Sequence, residues 1–217
     1  GRGLGDGFKE RQTEARGVTS DILRMTAAIG GNSEEALRSA AIFAREGKDR
    51  KGIVDGVRAS LLAARIAELD VAEATNLVSS AMSQFKIPAG DAVLTLDKLN
   101  TLSNNYRVTT GDLLQSISRS GSIIAQQNGR LSELAAVTAV TAQNTSRTGA
   151  EIGNAIKTIA SQIDRVETKK YIFENLGIAV HDVGGESKSY TRFLLEMSLA
   201  LDQATDAERN LATTQVA

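Results

Sequence analysis

Apolar residues recur along most of the chain at spacings of three and four, which places them on one face of an α-helix. From Ser20 the set Ile22, Met25 and Ile29 follows this spacing, and Gly30-Gly31 supplies a stop. Asn32 reads as an N-cap, with Glu34 and Glu35 at the positive end of the helix dipole and Leu37, Ala41 and Ala44 as the predicted stripe. Val57, Leu61, Ala64 and Ala67 predict a third helix. Asp70 with Glu73 opens a fourth, which carries Ala74, Leu77, Val78, Ala81 and Phe85 and closes at Lys86-Ile87-Pro88. A fifth runs from Ala89 through Val93, Leu96, Leu99 and Leu102 to Asn104-Asn105. Thr109 or Thr110 restarts the chain for Leu113, Leu114, Ile117, Ile123 and Ile124, Gly129 is the expected stop, and Ser132 begins a seventh helix.

Thr148-Gly149-Ala150-Glu151 has the spacing of a capping box and opens a helix with Ile152, Ile156, Ile159 and Ile163 on one side. After Tyr171-Ile172-Phe173 the period changes, and Leu176 to Val183 alternates before Gly184-Gly185. Helix resumes near Tyr190 with Phe193, Leu194, Met197 and Leu201, and Thr205-Asp206-Ala207-Glu208 has capping-box spacing again. No internal repeat of fixed length is evident in the letters. The expected fold is all-α, an array of short helices with one short extended or hairpin excursion near residues 176–186. Residues 1–18, rich in glycine and charge, are expected to form a flexible leading segment, and residues 19–217 one helical region. The chain starts Gly-Arg-Gly and stops at Gln215-Val216-Ala217 with a helical pattern still running, so it reads as a piece of a longer polypeptide.

Composition sharpens this picture. One Pro in 217 residues leaves nearly the whole chain free to be helical. Five Phe, three Tyr and no Trp mean that the core is built from Leu, Ile, Val and Ala, whose small side chains let helices approach closely. The absence of Cys excludes disulfides, thiolate nucleophiles and Cys-ligated zinc. With 25 Lys plus Arg against 26 Asp plus Glu, spread evenly along the chain, net charge gives no attraction to nucleic acid or anionic lipid. The longest weakly polar run, Leu134–Ala142, is about half of the ~20 residues that a spanning helix needs.

The residues offer little chemistry. His181 is the sole histidine and has no triad, HExxH or facial-metal pattern around it, and Asp182 and Glu186 are too sparse for a calcium loop. Carboxylate pairs such as Glu34-Glu35 fit helix-start electrostatics better than glycosidase catalysis, and the glycines form no nucleotide-binding loop. No catalytic residue, cofactor site or metal site is assigned, and the chain is not expected to be an enzyme. Ser116, Ser118, Ser120, Gln126 and Gln127 are read as a solvated helix face. Gly149 and Gly153 are spaced as GxxxG, beside polar Asn154, Lys157 and Thr158 that exclude a bilayer setting. A glycine inside a helix costs about 1 kcal/mol relative to alanine, so Gly153 is read as marking a tight backbone approach. Gly121, Gly149 and Gly153 are therefore the helix-packing candidates.

A resemblance now becomes visible. Asp97-Lys98-Leu99-Asn100, Thr109-Thr110-Gly111-Asp112-Leu113, Gly121, Ala125, Gly129 and Leu131-Ser132-Glu133-Leu134 resemble the core region of phage tail tape-measure proteins. Thr148 to Ile156 resembles that family's glycine-alanine helix start, and Leu176-Gly177-Ile178 through Asp182 and Gly185 its later extended element. The resemblance spans roughly residues 55–217, and Ile152 stands where the family has a smaller residue. It implies a multi-copy structural protein of the virion tail, in the tube lumen or tip, that sets tail length and leaves ahead of the genome. It also implies tail-tube and tail-tip proteins, assembly chaperones and sister copies as partners, with the host cytoplasm as the place of assembly. The residues themselves add that the segment is a set of short helices, because Gly and Asn breaks recur too often for one rod. The alternative reading is a helical interaction or effector module that binds a host or virion protein through an apolar groove.

Overall fold

Polar caps and left-handed stops cut the chain into its helices. In the computed structural model, which describes residues 4–179, 188–206 and 214, they are α1 Leu4–Ile29, α2 Ser33–Arg45, α3 Arg50–Ala67, α4 Val71–Gln84, α5 Ala92–Asn105, α6 Thr110–Gln126, α7 Leu131–Asn144, α8 Gly149–Ile163, α9 Val166–Leu176 and α10 Tyr190–Gln203. A 3₁₀ turn, Ala89–Asp91, follows Pro88. There is no strand among the described residues, and the fold is all-α.

Several starts have a local cause. The Asn32 side chain accepts the Glu34 and Glu35 amides at 2.8 and 3.3 Å, Asp49 accepts the Gly52 amide at 2.8 Å, and Asp70 accepts the Glu73 amide at 2.8 Å. Each removes an amide that the first turn cannot satisfy internally. Several stops are left-handed residues, among them Gly47 (φ 75°) after α2, Lys86 (φ 53°) after α4 and Asn128 (φ 55°) after α6. Gly129, expected as the stop of α6, acts through space. Its amide donates to the Ile124 carbonyl at 2.8 Å, and a Cβ there would overlap the Ile124 side chain.

The chain divides into two compact units, Gly1–Asn105 with Thr109–Gly111 and Tyr106–Val108 with Asp112–Ala217. In the first, α3 is the central helix and contacts α1, α2, α4 and α5. Ile22, Phe43 and Val57 are fully buried, and the Phe43 ring lies over Gly56, where a Cβ would come within 2.8 Å of it. Fully buried Ala36, Ala59, Ala63 and Ala74 let the helices come close, as the aromatic-poor composition predicts. Buried hydroxyls are answered locally or across the contact: Ser60 donates to the Gly56 carbonyl at 2.9 Å, and Thr75 on α4 donates to Ser39 on α2 at 2.9 Å.

One expectation changes here. The buried face of α2 is Ala36, Ser39, Ala40 and Phe43, while Leu37 and Ala41 are half-buried and Ala44 is exposed. The stripe is turned by about one position because Phe43, the largest side chain available, takes the interior. Residues 4–18 belong to α1. Once the packed turns around Ile22 nucleate the helix, each added residue needs only propagation, which tolerates Gly5, Gly7 and Gly17.

The second unit is built on Leu113, Leu114 and Ile117 of α6, Leu134 of α7, Ile152 of α8 and Ile172 of α9, all at most 1% exposed. Of the excursion expected over 176–186, Leu176 closes α9, Gly177 is its left-handed cap (φ 66°), and Ile178 and Ala179 are non-helical. Residues 180–186, including His181, Asp182 and Glu186, lie outside the described residues. So do Ala207 and Glu208 of the last capping box, although Asp206 is helical.

Because the Phe43 site is closed on all sides, Phe43→Ala is expected to destabilise the chain by about 3–5 kcal/mol. Chemical denaturation followed by circular dichroism measures this, and a loss below about 1 kcal/mol would show that the site collapses freely.

Candidate helix-packing site

The first turn of α8 rests on α6 with no side chain between them. The Thr148 cap makes this start rigid: the Thr148 amide donates to Glu151 Oε2 at 2.8 Å, and the Glu151 amide donates back to Thr148 Oγ1 at 3.3 Å. The Thr148 hydroxyl also donates to Glu151 Oε2 at 2.9 Å, and the carboxyl is held below the usual glutamate range first by the Thr148 amide and then by this hydroxyl. With the turn so fixed, the Gly149 amide points out of α8 and donates to Asp112 Oδ1 at 2.7 Å. A Cβ on Gly149 would overlap the Asp112 backbone, its carbonyl oxygen included. One turn on, a Cβ on Gly153 would lie 2.8 Å from both Cα and O of Ser116 and 2.9 Å from Cβ of Arg119.

The structure thus brings Gly149 and Gly153 together against one face of α6. Gly121 is buried within α6, five residues beyond Ser116. Sequence reasoning missed the other half of the contact. Ser116 and Ser120, read as a wet face, are fully buried. Ser116 Oγ lies 2.7 Å from Thr138 Oγ1, tying α6 to α7, and Ser120 donates to the Ser116 carbonyl at 2.9 Å. Gln127 is half-buried and donates to the Ala160 carbonyl at 3.0 Å, whereas Gln126 is exposed as expected. The available signal was Thr109-Thr110-Gly111-Asp112, whose acid stands in the same place after a threonine as Glu151 does after Thr148.

The arrangement is suited to holding helices. A small, partly open cavity of about 40 Å³ lies among Gln127, Ile163, Lys169, Tyr190 and Phe193, and burial pushes the Tyr190 hydroxyl up to about 12. Among the described residues no three His, Asp or Glu side chains come together as a metal site. No described helix is long and apolar enough to cross a membrane.

Fold and site therefore define an all-α protein whose characteristic feature is close helix packing. A family model described as phage-related minor tail protein matches residues 19–217, and the chain belongs to that family. It is a structural phage tail protein, and its place is the virion tail. No solved structure matches it.

Helix propensity alone would make Gly→Ala at these positions favourable by about 1 kcal/mol. The overlap with Asp112 and Ser116 reverses the sign, so Gly149→Ala and Gly153→Leu are each expected to lower the melting temperature, with a net loss of about 1–3 kcal/mol. An unchanged or raised melting temperature would show that the contact is dispensable.

Glu151 supplies a pH signature. Its folded carboxyl titrates lower than its unfolded one, so its stabilisation is present above the unfolded value and is lost as pH falls through the folded one. Thr148→Ala keeps the backbone amide and removes the hydroxyl, so it is expected to move the Glu151 titration part of the way back up, read by NMR of the carboxyl carbon, and to cost about 0.5–2 kcal/mol near neutral pH. An unchanged titration would remove the Thr148 hydroxyl as a cause.

Proposed function

We propose that this chain is a segment of a tape-measure protein, which works without catalysis by packing inside the growing tail. In this reading several sister copies occupy the tube lumen or tip, are handled by assembly chaperones in the host cytoplasm and meet tail-tube and tail-tip proteins. Together they set tail length and leave ahead of the genome. The support is the match of residues 19–217 to the minor tail family, joined to the ordered tape-measure motifs from Asp97 to Gly185.

Within that function we assign the contact of Gly149 and Gly153 on α6 to holding the segment in one helical arrangement. Such a device suits a protein that has to fit a narrow tube, because a glycine contact brings two helix axes closer than any side-chain contact allows. Short helices broken by caps contribute little axial length for their residue count, since even a continuous helix rises only about 1.5 Å per residue.

Electron cryomicroscopy of intact particles tests the proposal. Several copies of the protein within the tube lumen or tip are expected, with tails that shorten when the full-length protein is shortened in its extended regions. A single copy bound to the outside of the tail, or unchanged tail length in every shortened variant, would overturn the tape-measure reading.

A further inference from the structure

The helix starts recur at a fixed interval that the letters of the sequence hide. The second helix of each successive pair, α2, α4, α6, α8 and α10, follows Asn32, Asp70, Thr109, Thr148 and Ser189. Asp70, Thr109 and Thr148 are 39 residues apart, with Asn32 one residue nearer to Asp70 and Ser189 two residues further from Thr148. An acid stands three residues past the first four, at Glu35, Glu73, Asp112 and Glu151.

Burial repeats with the caps. The residue four past the cap is buried in all five helices, as Ala36, Ala74, Leu113, Ile152 and Phe193. The residue eight past it is buried in all five as well, as Ala40, Val78, Ile117, Ile156 and Met197. In the first helix of each of the first four pairs, the residue ten before the cap is buried, as Ile22, Ser60, Leu99 and Thr138.

Packing follows the same register in each unit. In the first, Thr75, five past its cap, meets Ser39, seven past its own. In the second, Gly153, five past its cap, meets Ser116, again seven past. In the first unit the leading helices also stack in order, α3 against both α1 and α5, and α2 meets α4. The last pair departs from this register. Leu194 occupies the place of Thr75 and Gly153, too large for the same approach, and α10 contacts α7 and α9.

From this we infer that the chain is a tandem array of one helix-pair module about 39 residues long, and that the modules are exchangeable. The length of this tail protein can then change by whole pairs while the fold persists. Stability in such an array is close to a sum of module and neighbour terms, so removing one module brings together faces that already match in register. The inference rests on burial and caps and does not depend on the tape-measure reading, which its failure would leave untouched.

The test uses three deletions in the 217-residue chain. Deleting residues 110–148 joins Thr109 to Gly149, so that a threonine still caps α8, and deleting 71–109 joins Asp70 to Thr110, so that an aspartate still caps α6. Each removes one period. Deleting 110–129 removes α6 alone and puts every later helix half a period out of phase. At least one whole-period variant is expected to keep the parent helicity per residue by circular dichroism and to melt cooperatively, while the half-period variant loses its cooperative transition. Loss of the transition in both whole-period variants, or a half-period variant that melts as cooperatively as they do, would overturn the module.

Discussion

The contact of α8 on α6 leaves no room for a side chain at Gly149, and the second unit is arranged around that exclusion. A carboxylate on α6 receives the first amide of α8, two bonds between Thr148 and Glu151 hold the turn that presents it, and Ser116 beneath Gly153 carries the contact on to Thr138. The elements depend on one another. Without the cap the Gly149 amide has no fixed direction, and without the glycine the carboxylate is out of reach.

The same economy governs the first unit with different residues. Phe43 fills the space left by Gly56, and alanines share the remaining interior with Ile22, Val57 and Leu99, so one large side chain is accommodated by one missing one. A core of this kind has few polar gaps to spare. Its buried Ser and Thr hydroxyls donate to the carbonyl four residues back or to another hydroxyl, which keeps their burial inexpensive. Small residues are thus the means by which helices within each unit approach closely.

Function follows from packing here. Membership of the minor tail family gives the chain a place in the virion tail, and the geometry shows close helix contacts made by glycine, alanine and serine.

The all-α class and the caps at Asn32, Asp70 and Thr148 were legible in the letters, because caps and apolar periods act within a few residues. The sequence by itself misjudged α2 and the serines of α6, since a helix carrying Ala, Ser and Leu on adjoining positions leaves its inward face open until a neighbour such as Phe43 or Gly153 selects it. It also hid the 39-residue module. The position four past each cap accepts any apolar side chain from Ala36 to Phe193, so identity drifts while burial stays, and only tertiary packing, which responds to volume and register, reveals the repeat.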